Sequence, residues 1–363
     1  MRPHRLFRPA AAKPQRRTLP PLAVAADIGI LAVGIGILLV TGLVAPATAA
    51  AAGPAVPDRY IYVTNPLDNT LSVIDGSTYA VVATVRVGAS PAGVAVSPDG
   101  RSAYIAETEG KAVSVMDTGT NTITTTVALP AGSAPAALAL SPNGQFLYIA
   151  DGGSNSVSVL DTRANRVVAS VPVGSQPVSL AVTPDGASVY VANTGSDDVS
   201  VIDTRTNRTV RAVPTGQYPT GVAVTRDGTS VYVANEVSNN VTVINTRNGA
   251  TEAVIPAANP VGMTTSPNGL WVYVTDVSSG KLTVIDNRTH HVTSTVSVGA
   301  IPFNAAATNH AIYVVDQGAN TLAVIDPRTL KVSKTVTTGS SPLARRSGGL
   351  PYGVAVNPPA SGQ

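Results

Sequence analysis

The segment from Val189 to Val201, VYVANTGSDDVSV, decides the fold of this chain. A run rich in β-branched residues and tyrosine stops at Asn193, crosses a polar loop, and resumes as an alternating strand that ends at Asp203. This pattern is typical of a β-hairpin. Its signal, Tyr-Val-Ala-Asn, recurs in seven related copies whose tyrosines are 40 to 44 residues apart. These tyrosines are Tyr62, Tyr104, Tyr148, Tyr190, Tyr232, Tyr273 and Tyr313. A near-fixed period of this length indicates a repeat protein.

Each full repeat contains four strand-like runs. An apolar run ends at a Ser-Pro-Asp-Gly turn, the tyrosine run follows, a Val-x-Val-Ile-Asp run comes next, and a Val/Thr run completes the unit. The first copy lacks the initial apolar run, whereas Pro351 to Pro358 supplies one that no tyrosine run follows. We therefore predict an all-β, seven-bladed β-propeller of four-stranded blades over residues 60–359, closed by pairing the C-terminal strand with the N-terminal blade.

Residues 1–49 have the features of an export segment. Basic residues precede an apolar run from Ile28 to Ala45, and Ala47-Thr48-Ala49 matches a small-x-small cleavage site. Because the run is also long enough to cross a bilayer, a cleaved signal peptide and an uncleaved N-terminal membrane anchor are both open. Residues 50–59 are predicted to be a linker. We expect an exported protein of the periplasm, the cell envelope or the extracellular space.

Charge and cysteine content exclude several classes of site. The chain has no cysteine, which rules out disulfides, iron–sulfur clusters and zinc–cysteine centres. Residues 1 to 57 hold six of the 24 basic side chains and one of the 21 acidic ones, so the repeat domain keeps 18 basic and 20 acidic residues, a net charge of −2. This balance disfavours nucleic acid as a partner without excluding it.

The repeated motifs carry a family resemblance. Copies of Tyr-Val-Thr/Ala-Asn, with Val-Ile-Asp-Thr, Val-Gly-x-x-Pro and Ser-Pro-Asp-Gly, resemble the YVTN-repeat β-propeller family over residues 60–358. That family includes YncE-like exported proteins, surface-layer proteins, a DNA-binding periplasmic member, and relatives of lactonase-like and cytochrome-associated propellers. The resemblance implies the fold and leaves the function open. This chain departs from the pattern at Asn245, at Met263 to Thr265, and in an insertion from Thr338 to Gly348.

The connections between strands divide between two faces of the predicted propeller. The Ser-Pro-Asp-Gly turns and the Asp-Thr-x-x-Asn turns lie on one, which we call the structural face. The loops after the tyrosine strands and the Gly-x-x-Pro crossovers between blades lie on the other, the variable face, where binding residues are expected. We predict that the aspartates of Val-Ile-Asp cap turns on the structural face rather than bind metal.

Seven polar residues end the tyrosine strands on the variable face, and we call them the ring residues. One interpretation is that together they hold a cation or a polar ligand, and the alternative is that each caps its own turn. Glu107 differs most, since it is too long for a simple Asx turn and has Glu109 and Lys111 nearby. The ring residues are Asn65, Glu107, Asp151, Asn193, Asn235, Asp276 and Asp316.

Four further candidates belong to the variable face. Tyr218 and Phe303 stand at proline crossovers, where they form an aromatic floor for a ligand or fill gaps between blades. Arg345 and Arg346 stand in the insertion, as a contact for a partner or a phosphate or as part of an exposed loop.

The predicted wall of the central channel argues against catalysis. Alternate residues of the innermost strands, from Gly93 and Ala95 to Gly353 and Ala355, are expected to face the axis, and nearly all are small and neutral. Acid–base or nucleophilic chemistry needs other side chains, and no Gly-x-Ser-x-Gly motif occurs. We expect no catalytic residue, no cofactor and no metal, but a monomeric scaffold that binds an unidentified protein or envelope ligand. The alternatives are single-stranded DNA binding and a lactonase-like or redox-associated enzyme.

Overall fold

The computed structural model describes residues 59–339 and 353–357, which fold as β-strands joined by turns. In chain order the strands are β1 (Tyr60–Asn65), β2 (Thr70–Asp75), β3 (Val81–Arg86), β4 (Pro91–Val96), β5 (Ser102–Glu107), β6 (Ala112–Asp117), β7 (Thr122–Ala128), β8 (Pro135–Leu140), β9 (Phe146–Asp151), β10 (Ser156–Asp161), β11 (Arg166–Pro172), β12 (Pro177–Val182), β13 (Ser188–Asn193), β14 (Asp198–Asp203), β15 (Arg208–Pro214), β16 (Pro219–Val224), β17 (Ser230–Asn235), β18 (Asn240–Asn245), β19 (Thr251–Pro256), β20 (Pro260–Thr265), β21 (Trp271–Asp276), β22 (Lys281–Asp286), β23 (His291–Ser297), β24 (Pro302–Ala307), β25 (Ile312–Asp316), β26 (Thr321–Asp326), β27 (Lys331–Thr337) and β28 (Val354–Asn357). Within these two ranges, no helix is long and apolar enough to cross a membrane.

The strands form seven antiparallel sheets of four, which confirms the predicted propeller. Blades 2 to 7 each use four consecutive strands, from β4–β7 to β24–β27. The innermost strands contact one another in the cyclic order β28, β4, β8, β12, β16, β20, β24 and back to β28, so the sheets close into a ring. Each innermost strand therefore contacts the innermost strands of both neighbouring blades.

Blade 1 joins the two ends of the propeller, as the sequence predicts. Its strand order is β28-β1-β2-β3, and Val354 of β28 lies opposite Val63 of β1. The Gly353 amide donates to Thr64 Oγ1 at 2.8 Å, and the Thr64 amide donates to the Gly353 carbonyl at 3.2 Å. The C-terminal strand therefore covers the free edge of β1.

The core lies between blades, because each sheet buries both faces of its two middle strands. The repeat tyrosines are between 0% and 4% exposed. One apolar cluster, for example, joins Tyr62 and Leu71 of blade 1 to Ile105 and Met116 of blade 2. Fully burying a side chain of this size contributes about 1.5–3 kcal/mol, so the copies of the motif stabilise the ring at every blade boundary.

Two of the tyrosine hydroxyls also bond to the neighbouring blade. Tyr232 Oη in blade 5 lies 2.7 Å from His290 Nδ1 and 3.0 Å from Asn287 Oδ1, both in a structural-face turn of blade 6. Tyr190 Oη similarly donates to the Thr246 carbonyl, at 3.4 Å. Each such bond fixes one blade against the next while the ring of the tyrosine is buried.

The predicted turn caps of the structural face are confirmed. Asp161 Oδ1 accepts hydrogen bonds from the amides of residues 163 and 164, each at 2.9 Å. Asn245, which replaces aspartate in blade 5, accepts the Arg247 amide at 3.0 Å in the same way. In blade 1, hydrogen bonds from the Ser77 side chain and from the Thr78 amide lower the pKa of Asp75 to about 2. These side chains close turns by local bonds.

Candidate binding site in the axial cavity

The ring residues are buried inside the loops of the variable face. All seven are at most 4% exposed. Asn193 shows the arrangement clearly, since its Nδ2 atom donates to Asp198 Oδ1 at 2.7 Å and to Ser200 Oγ at 2.9 Å. Asp316 accepts the amides of Ala300 and Ile301 at 2.9 and 2.8 Å. These side chains hold the hairpin and the incoming crossover together.

The glycine of the Val-Gly-x-x-Pro motif makes room for the ring residue. A Cβ atom on Gly88 would lie 2.0 Å from Glu107 Oε2, and one on Gly299 would lie 1.8 Å from Asp316 Oδ2. Glu107, which the sequence singles out, accepts the Gly88 amide at 2.8 Å and the Ser114 hydroxyl. The longer side chain thus performs the same structural task in blade 2.

Burial changes the acid strength of two ring residues. Desolvation raises the pKa of Asp151 to about 6, against the opposing effect of a hydrogen bond from Ser158, and it also raises the pKa of Asp276.

No group of three or more histidines or acidic residues suited to a metal ion occurs in residues 59–339 and 353–357. Asn65 and Asp316 lie together in a small groove between blades 1 and 7.

A cavity of about 430 Å³ opens at the axis, on the variable face. This volume lies within the range of small-molecule sites, about 300–1,000 Å³. Tyr218 and Phe303, which the sequence places at proline crossovers, both line this cavity, whereas none of the ring residues does. The wall also includes Ala137, Val178, Ser179, Thr194, Thr220, Gly221, Glu236, Val237, Val261, Gly262, Met263 and Asn304.

The expected channel wall needs a correction. The predicted inward phase contributes Ala137, Ser179, Gly221, Gly262 and Asn304 to the cavity, but Val178, Thr220, Val261, Met263 and Phe303 of the opposite phase line it as well. The reason is a register shift after the proline of each of these strands; in β12, for example, Pro177 and Ser179 pair with adjacent residues of β13 and leave Val178 unpaired. Such a bulge re-aims side chains next to a site.

The inward glycines serve contact between blades rather than a ligand. A Cβ atom on Gly221 would lie 2.2 Å from the Val261 carbonyl oxygen, and one on Gly262 would lie 2.3 Å from that of Phe303. The small residues of this phase therefore let neighbouring innermost strands approach closely, as the sequence predicts.

Tyr218 and Glu236 are held side by side at the mouth of the cavity. Tyr218 has a φ of 58°, in the left-handed region that bulky residues seldom adopt. Its amide donates to Asp197 Oδ1 at 2.7 Å, and its carbonyl accepts the Glu236 amide at 3.0 Å. Asn259 Nδ2 donates to the Glu236 carbonyl at 3.1 Å. Desolvation raises the pKa of the half-buried Glu236 carboxyl, and the Asn259 side chain partly offsets this by hydrogen bonding.

Sequence reasoning did not select Glu236, although a signal was present. The residue that follows each ring residue is proline, threonine, glycine, threonine, glutamate, valine or glutamine in blades 1 to 7. Blade 5 alone has a charged side chain there. Arg345 and Arg346, together with residues 1–58, lie outside the described residues.

The described residues thus define a seven-bladed propeller with an axial cavity on its variable face. The family model for lactonase, 7-bladed beta-propeller, matches residues 57–209 and 174–262, which together exceed half of the chain. The chain belongs to this family of seven-bladed β-propellers. No curated protein matches the sequence significantly.

Solved structures share the fold. A protein of unknown function from Desulfotomaculum acetoxidans has a TM-score of 0.68 at 16% identity, with 83% of this chain and 99% of that chain covered. Hydrazine synthase from Kuenenia stuttgartiensis has a TM-score of 0.67 at 23% identity, over 74% of this chain and 92% of that chain. Virginiamycin B lyase from Staphylococcus aureus has a TM-score of 0.59 at 16% identity, over 72% and 87%. At these identities the likeness concerns the fold alone.

Proposed function

We propose that this chain is an exported, non-catalytic binding propeller of the YVTN-repeat, YncE-like type, and that it holds an envelope ligand at the axial cavity of its variable face. The cavity carries the proposal, because its volume, its apolar wall and its few polar groups are those of a binding site for a small molecule or an inserted side chain. The apolar run from Ile28 to Ala45 supports export. The closed ring supports the role of a rigid platform for the variable loops.

A cavity-filling substitution tests this proposal. Val178 lies in the cavity wall, so Val178→Trp should occupy the space that a ligand needs. Val210→Trp is the matched control, because Val210 is 62% exposed on the outer strand β15. Saturation-transfer NMR with neutral, anionic and cationic fragments should reveal fragments that bind the wild type and the control but not Val178→Trp. If no fragment binds, or if binding survives Val178→Trp, the axial cavity is not the ligand site.

A lactonase-like hydrolase is the second candidate, and membership of the family favours it. Opening a lactone needs a base for the attacking water and hydrogen-bond donors for the developing oxyanion. The cavity offers the Glu236 carboxylate as a base and the Thr220 and Asn304 side chains as polar groups. Turnover of simple lactones that is lost in Glu236→Gln would support this candidate. Absence of turnover by the folded wild type across aliphatic and phosphorylated lactones would count against it.

Single-stranded DNA binding stays a prediction from the family resemblance. The axial cavity gives it no support, since its lining within residues 59–339 and 353–357 includes Glu236 and no lysine, arginine or histidine to receive phosphate. Binding that weakens steeply with salt would support it, and absence of binding at low salt would contradict it.

A further inference from the structure

The charge in the described lining of the axial cavity is negative. Among its lining residues, Glu236 is the side chain that carries a charge near neutral pH. Its carboxylate is half-buried, so its field is screened less than that of a fully solvated group. Anionic ligands meet no cationic partner among the described residues of this wall, whereas a cation gains both the charge and a hydrogen-bond acceptor.

Aromatic and sulfur-containing side chains share the cavity wall with this carboxylate. Tyr218 is 41% exposed, and it shares the wall with the half-buried Phe303 and with Met263. A cation placed over the face of an aromatic ring is attracted by the ring quadrupole, and the remaining apolar wall suits a hydrocarbon body. The site therefore combines an anion, a π face and an apolar floor.

The backbone holds the tyrosine in place at a conformational cost. Other crossovers place Ser90, Gln176 or Asn259 at the position of Tyr218, also with positive φ. A bulky aromatic residue is disfavoured there, and such outliers often mark functional sites. The bonds from the Tyr218 amide to Asp197 and from the Glu236 amide to the Tyr218 carbonyl fix the backbone at these two residues, both of which line the cavity.

We propose that the axial cavity selects small organic cations, that is, alkyl- or arylammonium compounds whose charged head lies between Glu236 and the Tyr218 ring and whose apolar body rests on Phe303 and Met263. This inference rests on the proposed binding function and names the class of its ligand. It distinguishes this cavity from a site for phosphates or nucleic acid, which need cationic side chains that are absent from its described lining residues.

A matched set of probes tests the charge preference. Titration calorimetry with 2-phenylethylammonium, trimethyl(2-phenylethyl)ammonium, 2-phenylethanol and 3-phenylpropionate compares one aromatic body with four head groups. We expect both cations to bind, the alcohol to bind at least about tenfold more weakly, and the anion not to bind. Equal binding of the anion or of the alcohol would overturn the proposal.

Substitutions assign the preference to these residues. Glu236→Gln should weaken binding of both cations by about tenfold or more, whereas Glu109→Gln removes the same charge from an exposed position of the variable face and should leave binding unchanged. Tyr218→Leu should weaken the trimethylammonium probe more than the alcohol. Thermal unfolding of each variant shows whether it is folded, and Glu236→Asp should retain part of the preference. Cation binding that is the same in Glu236→Gln as in the wild type contradicts the proposal.

The outcomes separate this inference from the proposed function. Suppose that Val178→Trp abolishes binding of neutral or anionic fragments, and that the wild type binds the cationic probes no more tightly than the alcohol or the anion. The cavity is then a ligand site and the cation assignment is wrong. If cations bind but Val178→Trp leaves their binding unchanged, they bind elsewhere, and both proposals fail for this cavity.

Discussion

At the scale of single residues, one position of the repeat alternates between an acid and its amide. Asp151 and Asp276 end the tyrosine strands of blades 3 and 6, whereas Asn193 and Asn235 end those of blades 4 and 5. Each bonds to a serine or threonine of the next strand, as Asn193 does to Ser200 and Asp276 does to Thr283. The amide of asparagine makes this bond without bringing a charge into the protein. Where the residue is aspartate, burial removes water from the carboxylate and destabilises its charged form.

Asp151→Asn should stabilise the protein at neutral pH. Burial raises the pKa of Asp151 from 3.8 to about 6, so the folded state binds more protons than the unfolded state between these values. Stability contributed by this residue is therefore present below pH 4 and lost as the pH rises through about 6, by at most about 3 kcal/mol. Urea unfolding at pH 4 and pH 7 should show the variant gaining about 1–3 kcal/mol over the wild type at pH 7 and little at pH 4.

Asp203→Asn is the matched control at the other end of a strand. Hydrogen bonds from Thr206 lower the pKa of Asp203, so its charged form is favoured by folding and its contribution is lost as the pH falls through that pKa. The control should therefore gain nothing at pH 7. The difference in the free energy of unfolding between Asp151→Asn and the wild type should be larger at pH 7 than at pH 4. An equal difference at the two pH values would show that the buried carboxylate is not destabilising.

At the scale of strands, the sequence predicts regular features well and irregular ones poorly. The β-branched and tyrosine-rich runs in Val189 to Val201 are enough to predict the hairpin, because both strands are buried on both faces and pair in an unbroken register. The bulge at Val178 is invisible to the same reasoning, since one additional residue in β12 changes which side chains face the cavity. Phe303 was selected for its position at a crossover rather than for this change of phase.

The candidate site is only partly predictable for a second reason. Ligand contacts arise from differences between copies, and a repeat pattern emphasises what the copies share. Tyr218 is recognisable as an aromatic residue at a crossover, but Glu236 becomes visible only when the seven copies are compared one position past the ring residue. Its closeness to Tyr218 depends on a backbone hydrogen bond between neighbouring loops that no local pattern encodes.

Strand β17 also makes a hydrogen bond between blades, and removing a single oxygen atom from the side chain of Tyr232 deletes it. Tyr232→Phe deletes the hydroxyl that lies 2.7 Å from His290 Nδ1 and 3.0 Å from Asn287 Oδ1, and it leaves the buried ring in place. We expect a loss of about 1–2 kcal/mol in the free energy of unfolding, because the partners of a part-buried hydroxyl lose their bond. Urea unfolding at neutral pH measures this loss.

Tyr148→Phe provides the comparison for this variant. Tyr148 occupies the same repeat position and is 2% exposed, but its hydroxyl makes no hydrogen bond within the described ranges. The change should alter stability by less than about 0.5 kcal/mol. Equal losses in the two variants would mean that ring packing, rather than the bond to blade 6, sets the effect at Tyr232.

At the scale of the whole molecule, stability depends on closing the ring with one short strand. β28 contributes four residues, yet it covers the edge of β1 and places Val354 in a cluster with Ile61 and Tyr313, so it connects blades 1 and 7. A chain that ends at residue 339 lacks this strand and leaves β1 as an open edge. An open strand edge is a template for pairing with other chains.

Truncation and replacement of β28 test this closure. We expect the chain ending at residue 339 to unfold at a lower urea concentration and to associate as its concentration rises, whereas a chain ending at Asn357 should behave as the full chain. A peptide of residues 350–358 should restore the first variant by adding a strand to β1. The same peptide with Gly353→Ala should fail, because the added Cβ would lie 2.6 Å from the Ala92 carbonyl oxygen, which belongs to a neighbouring strand that cannot easily move. Unchanged stability of the shorter chain would mean that the ring does not depend on β28, and equal rescue by both peptides would mean that the close approach at Gly353 is not needed.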